Sequence, residues 1–240
     1  MFSYCYNLKS VILPDSVTDI STEAFYNCTG LKYIKLPNNL KIIRKNAFRS
    51  CKLTELFLPS TLETIGDSAF AYNSSLKTIE IPDGFKNCSD GIFRNSFYIS
   101  NISIGIIDAS NCLGMLRDIG SGASIVDRMF INSSIITNYF DNNNTLKQKI
   151  DNLIIGENVQ IIGKDAFYYV PIRNVSFMSN NNLKIIGERA FDFPTGRNLL
   201  TDDIILPNSV ELIGFCSFWN VSTNKIVIGE NIKNISDGAF

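Results

Sequence analysis

Residues 8–30 read LKSVILPDSVTDISTEAFYNCTG, and the same order of residue types returns three times in succession. The next copies are LKYIKLPNNLKIIRKNAFRSCK (31–52), LTELFLPSTLETIGDSAFAYNSS (53–75) and LKTIEIPDGFKNCSDGIFRNSFY (76–98). The period is about 23 residues, a length at which each unit is completed only by stacking on its neighbours, so the chain reads as a solenoid.

Each unit opens on an alternating pair: Val11 and Leu13, Ile34 and Leu36, Leu56 and Leu58, Ile79 and Ile81. Period two puts both members on one face, which predicts a short half-buried strand. Pro14, Pro37, Pro59 or Pro82 follows and ends it, because proline has no N–H for a ladder. A second apolar pair comes next, as in Val17 and Ile20, Leu40 and Ile43, Leu62 and Ile65. Its spacing of three suits a tight irregular or 3-10 turn as well as a short strand. Ala24-Phe25, Ala47-Phe48 and Ala69-Phe70 then predict close coil approach and an aromatic filling of the interior.

The pattern resumes from Ile150 with Leu153, Ile155, Val159, Ile162 and Ala166-Phe167, and continues to Ala239-Phe240. The expected organisation is one repeat domain over 1–240, regular at about 8–104 and 150–240 and irregular at 105–149. Both ends fall inside a unit, which suggests a piece of a larger protein. Within 105–149, Ile125, Met129 and Phe130 are expected to close the unit opened by Ile99, Ile102 and Ile104. The stretch 131–149 reads as a degenerate unit, a short helix ending near Lys149, or a loop around Asp141 and Asn144.

Net charge is −1, and no basic run appears, so neither nucleic acid nor an anionic membrane is attracted at long range. No apolar run has the length of a membrane span, and the first residues do not read as a signal peptide. Histidine is absent, which removes Ser-His and Cys-His nucleophile pairs and histidine metal sites. No phosphate-cradling glycine loop is present, and no carboxylate pair stands out from the repeat. The expectation is a non-enzymatic chain with no cofactor and no metal. Cys5, Cys28 and Cys51 share one repeat position, where Asn73, Ser96, Val170 and Val221 also fall. They are expected to be reduced, buried column residues, with Cys88 inward and Cys112 the most exposed. Sequons at Asn27, Asn73, Asn101, Asn174 and Asn220 are expected by chance in an Asn-rich chain.

The LPxxLxxI segment, the Ala-Phe pair and the following Cys, as in Leu36 to Cys51, resemble the BspA-like leucine-rich repeats of bacterial surface proteins and some anaerobic protozoa. The resemblance implies a right-handed, curved superhelix of short parallel strands, turns and 3-10 segments, with a strand-lined concave face. It also implies a cell-surface or secreted recognition or adhesion module, whose partner is a protein such as a host extracellular protein.

Residues alternating with the buried strand positions face outward. Among them Ile12, Tyr33 and Phe57 make an apolar group rimmed by Lys35, Glu55 and Glu80, and these six are the candidate partner-binding residues. The polar middle, Asn101, Ser103, Asn174 and Ser176, suits a glycan instead, so a carbohydrate-binding module is the alternative, and a structural spacer a third reading.

Overall fold

A computed structural model describes residues 2–105, 115–116, 119, 125–137, 149–193, 200 and 202–240. The chain forms a parallel β-solenoid with no helix among these residues. Most described coils contribute their opening segment to a first ladder and their second segment to a second ladder.

The first ladder contains β1 (Ser10–Ile12), β3 (Tyr33–Lys35), β6 (Thr78–Ile81), β8 (Asn101–Ile104), β9 (Ile125–Ile131), β11 (Lys149–Ile155), β13 (Ile172–Phe177), β15 (Ile204–Ile205) and β17 (Ile226–Val227). The second contains β2 (Asp19–Ile20), β4 (Ile42–Ile43), β5 (Thr64–Ile65), β7 (Asn87–Cys88), β10 (Ile135–Ile136), β12 (Ile161–Ile162), β14 (Ile185–Ile186), β16 (Leu212–Ile213) and β18 (Asn234–Ile235). All pairings are parallel, as stacking of successive coils requires. The expected 3-10 segments are absent among the described residues. The second apolar pairs instead pair as two-residue strands, because each finds a partner one coil away.

The third side of each coil is a tight turn built on the Ala-Phe pair. Its hydrogen bonds run in the opposite sense, from an earlier coil's N–H to a later coil's carbonyl, as in Phe25 to Ala47 (2.8 Å) and Phe48 to Ala69 (2.8 Å). The residue before Ala adopts positive φ, for example Glu23 (58°), Asn46 (56°), Ser68 (54°) and Arg189 (50°). The equivalent position is glycine at Gly91 (58°) and Gly238 (61°), where the left-handed backbone carries no side-chain penalty.

Inside, the phenylalanines stack from coil to coil. Phe2, Phe25, Phe48, Phe70 and Phe93 have successive centroids 5.3, 5.1, 5.2 and 5.7 Å apart, with planes within 15°. Phe167, Phe191, Phe218 and Phe240 form a second column at 5.2, 5.2 and 5.6 Å. The coil rise sets this spacing, and near-parallel rings then slip into offset contact, a favoured geometry that adds to their burial. One continuous hydrophobic core runs from Ile20 to Ala239.

Two sequence expectations are corrected within the fold. Residues 125–131 do not close a unit. They form β9, with Ile102 opposite Met129 and Ile104 opposite Ile131, so this segment opens a coil. Lys149 itself lies in no helix, since it begins β11, whose Leu153 pairs with Met129 on one side and Val175 on the other; residues 138–148 before it lie outside the described ones. Asp141–Asn144 and Cys112 lie outside the described residues.

Of the cysteines, Cys28 and Cys51 lie as expected, whereas Cys5 and Cys88 do not. Cys28 and Cys51 are buried free thiols, but each donates to a backbone carbonyl rather than merely filling space, Cys28 to Phe2 (2.9 Å) and Cys51 to Phe25 (3.2 Å). Cys5 is exposed and Cys216 half-buried. Cys88 is not a reduced thiol; it is disulfide-bonded. Asn73 is fully buried, so its amide meets no solvent in the folded chain.

Candidate partner-binding face

Strict alternation along the first ladder makes two outward rows. By register, one row contains Ser10 beside Tyr33, then Thr78, Asn101, Arg128, Asn152 and Asn174 on adjacent strands. The other contains Ile12 beside Lys35, then Glu80, Ser103, Phe130, Ile154 and Ser176. Glu55 and Phe57 lie in the coil between β3 and β6. The opening segment of that coil forms no strand, although Lys52 and Thr54 still donate to the carbonyls of Leu31 and Lys32, and its second segment pairs as β5.

All six candidate residues are exposed. Ile12 is 77% accessible, Phe57 68% and Tyr33 43%, values that are high for side chains of this size. The register refines their arrangement. Lys35 lies directly beside Ile12 in its row, while Tyr33 stands in the neighbouring row on the same strand as Lys35. The apolar groups are therefore staggered around a lysine rather than continuous.

Charge pairing is denser around the second ladder, although the first also pairs Arg173 with Asp151 (3.2 Å) between β13 and β11. Around the second ladder, acids and bases meet between coils: Arg44 with Asp19 (2.7 Å), Lys86 with Glu63 (3.1 Å), Lys164 with Glu188 (2.9 Å) and Lys184 with Glu211 (3.1 Å). Lys233 adds a second base to Glu211 (2.5 Å), and the paired ammonium groups hold that carboxyl below its usual range. On the first-ladder face, Lys35, Glu55 and Glu80 make no ion pair among the described residues. Exposed pairs contribute only about 0–1 kcal/mol each, so the contrast concerns available charge rather than stability.

Sequence reasoning missed Arg128 and Phe130. The register places both on the outer face, Arg128 between Asn101 and Asn152, and Phe130 between Ser103 and Ile154. The Arg128 guanidinium lies 5.9 Å from the Phe130 ring centroid and has no acidic partner among the described residues. The signal that could have found them is the alternation of Arg128 and Phe130 with the apolar Met129 and Ile131, which matches the Ile102–Ile104 unit. The amides of Asn152 and Asn174 meet at 3.1 Å on the same row, and the Asn152 amide donates to the Asp127 carbonyl (3.0 Å).

Among the described residues no group of three or more Cys, Asp or Glu side chains could hold a metal ion. Among the described residues no helix is long and apolar enough to cross a membrane.

The sequence family described as BspA type leucine rich repeat region matches residues 1–110 and 129–240 in six copies. No curated protein gives a significant match. Among solved structures, a leucine-rich repeat protein from Bacteroides ovatus is similar at 22% identity, over 98% of this chain and 76% of that one, with a TM-score of 0.34. A leucine rich cell surface protein from Faecalibacterium prausnitzii is similar at 21% identity, over 93% of this chain and 80% of that one, with a TM-score of 0.39. The pneumococcal vaccine antigen PcpA is similar at 17% identity, over 96% and 69%, with a TM-score of 0.38.

Proposed function

The chain belongs to the BspA-type leucine-rich repeat family, and from that premise we propose that it is a non-enzymatic recognition or adhesion module that binds a protein partner through the first-ladder face. The observation that supports this reading best is the set of exposed, uncompensated side chains on that face. Ile12, Tyr33 and Phe57 offer apolar anchors, and Lys35, Glu55 and Glu80 offer charges with no partner among the described residues. Large exposed apolar groups inside a polar rim are the usual chemistry of a protein-binding hot spot. The solenoid supplies rigidity: the outward side chains alternate with buried neighbours such as Ile34, Leu56 and Ile79, so little ordering cost remains to be met on binding.

The proposed setting is the cell surface or the secreted space. The Cys88 disulfide favours an oxidising compartment, since such bonds rarely persist in the cytosol of mesophiles.

The test is a binding screen of the chain against extracellular-matrix and plasma proteins, with Tyr33→Ala/Phe57→Ala in parallel. Saturable binding that the folded double variant loses by tenfold or more supports the reading. Binding that survives the double variant unchanged removes this site, and absence of any binding across the screen counts against a protein partner of this class.

A further inference from the structure

The first ladder is interrupted between β13 and β15. β6 to β13 form one sheet and β15–β17 another, with no register between them. The coils rejoin at the second ladder, where the Glu211 N–H donates to the Lys184 carbonyl (2.9 Å). Between these places lies a cleft of about 360 Å³.

At other junctions, polar bridges close the turn after the first strand. The Asn38 N–H donates to Asp15 Oδ1 (3.0 Å), the Thr61 hydroxyl to the Asn38 carbonyl (2.7 Å) and the Asn158 N–H to Asn132 Oδ1 (3.0 Å). Asn182 and Asn231 do the same toward Glu157 (3.0 Å) and Asn208 (2.9 Å). No such bridge joins residues 178–182 to 207–209. Instead, the side chains of Ser179, Asn180 and Asn208 on the cleft wall make no hydrogen bond among the described residues. The Ser209 hydroxyl, on the same wall, is buried with no partner. Ser179, Asn180 and Asn208 are exposed, so their donors and acceptors stand open to a polar ligand in the cleft, whereas the Ser209 oxygen is closed off from it.

We propose that this cleft binds a neutral carbohydrate, a pyranose unit of a glycan. Three features select that chemistry. No lining residue carries a charge, so an ionic ligand gains nothing there. Asparagine amides present a donor and an acceptor side by side, and serine hydroxyls do both, which matches the vicinal hydroxyls of a sugar. Phe177, Met178, Ile205 and Pro207 form an apolar wall suited to the C–H face of the ring. The volume falls within the roughly 300–1,000 Å³ of small-molecule sites. The site is separate from the protein-binding face around Tyr33, and neither depends on the other.

The experiment is saturation-transfer NMR of the full chain with methyl glycosides of glucose, galactose, mannose and N-acetylglucosamine. Glucuronate, N-acetylneuraminate and an uncharged tetrapeptide serve as comparison probes. At least one neutral glycoside is expected to receive saturation. Ile205→Arg, at a position 65% exposed and therefore tolerant, should abolish the signal by placing a bulky charge in the cleft. Asn180→Gly keeps the left-handed backbone (φ 64°) and should weaken binding about fivefold, the effect of one lost hydrogen bond. Tyr33→Ala should change nothing. The proposal is overturned if no neutral glycoside responds, if the acidic sugars or the peptide respond as strongly, or if folded Ile205→Arg binds as the parent does.

Discussion

The Cys51 thiol donates a hydrogen bond to the carbonyl oxygen of Phe25, on the preceding coil, at 3.2 Å. The same relation recurs along the column with different chemistry. Cys28 donates to Phe2 (2.9 Å), the Asn73 amide to Phe48 (2.9 Å) and the Ser96 hydroxyl to Phe70 (3.2 Å). Each donor serves the carbonyl of the phenylalanine that fills the coil before it. Cysteine, asparagine and serine are interchangeable here because the position requires a small side chain that ends in a donor.

Asn73 does more than its neighbours. Its amide donates to Phe48 and Phe70 (both 2.9 Å), and its oxygen accepts from the Leu53 N–H (3.2 Å). Asn73→Ala would strand the Leu53 donor and the Phe48 acceptor in a dry interior. A stability loss of about 3 kcal/mol is expected, taking 1–3 kcal/mol per stranded group. Asn73→Cys restores the bond to Phe48 and should lose less than Asn73→Ala. Urea unfolding of both variants checks the order, and equal losses would refute the column's role as a donor.

The solenoid was legible because period and alternation survive in the sequence, and Val11, Ile34 and Ile79 announce their own ladder. The donor column was not, because Cys28, Asn73 and Val170 share no polarity that marks the position; only the nearby carbonyl explains the first two. Arg128 was missed and Phe130 misassigned because the preceding insertion breaks the period, and register could be counted only from strand pairing. The cleft at Asn180 and Ser209 was not legible either, since it arises from a missing pairing between two segments that each look ordinary.

Burial pushes the Cys51 thiol up to about 12, with the neighbouring Cys28 thiol adding to the effect. The folded chain therefore keeps this thiol neutral, while the unfolded chain ionises it from its ordinary value of 9.0 upward. Stability from this group is complete below that value and is lost as pH rises toward the folded value, by about 1.4 kcal/mol per pH unit. Cys51→Val should unfold with a shallower alkaline dependence than the parent between pH 9 and 11. Identical slopes in urea titrations at those pH values would contradict the assignment.

Cys88 should resist alkylation where the other described cysteines do not. In denaturant without reductant, iodoacetamide is expected to modify Cys5, Cys28, Cys51 and Cys216, which are free thiols. Cys88 should react only after reduction, because it is disulfide-bonded. Peptide mass mapping of protein produced in an oxidising compartment decides the matter. Modification of Cys88 before reduction would remove the support that this bond gives to an exported setting.

Glu23 holds φ at 58° in a turn where its counterparts Gly91 and Gly238 sit at 58° and 61°. For a residue with a side chain the left-handed conformation costs about 1–2 kcal/mol. Its carboxylate returns little, since the one contact it makes, from the Asn46 amide, is exposed and 3.4 Å long. Glycine removes the steric cost but adds about 0.5–1 kcal/mol of backbone entropy to the unfolded chain. The balance favours Glu23→Gly by about 0.5–1 kcal/mol on these figures. Thr22→Gly, one residue earlier and outside the left-handed region, carries the entropy term alone and should destabilise by about 0.5–1 kcal/mol. Opposite shifts of the two midpoints in thermal unfolding are the expected outcome. Two shifts in the destabilising direction would mean that the turn does not hold Glu23 in a strained backbone.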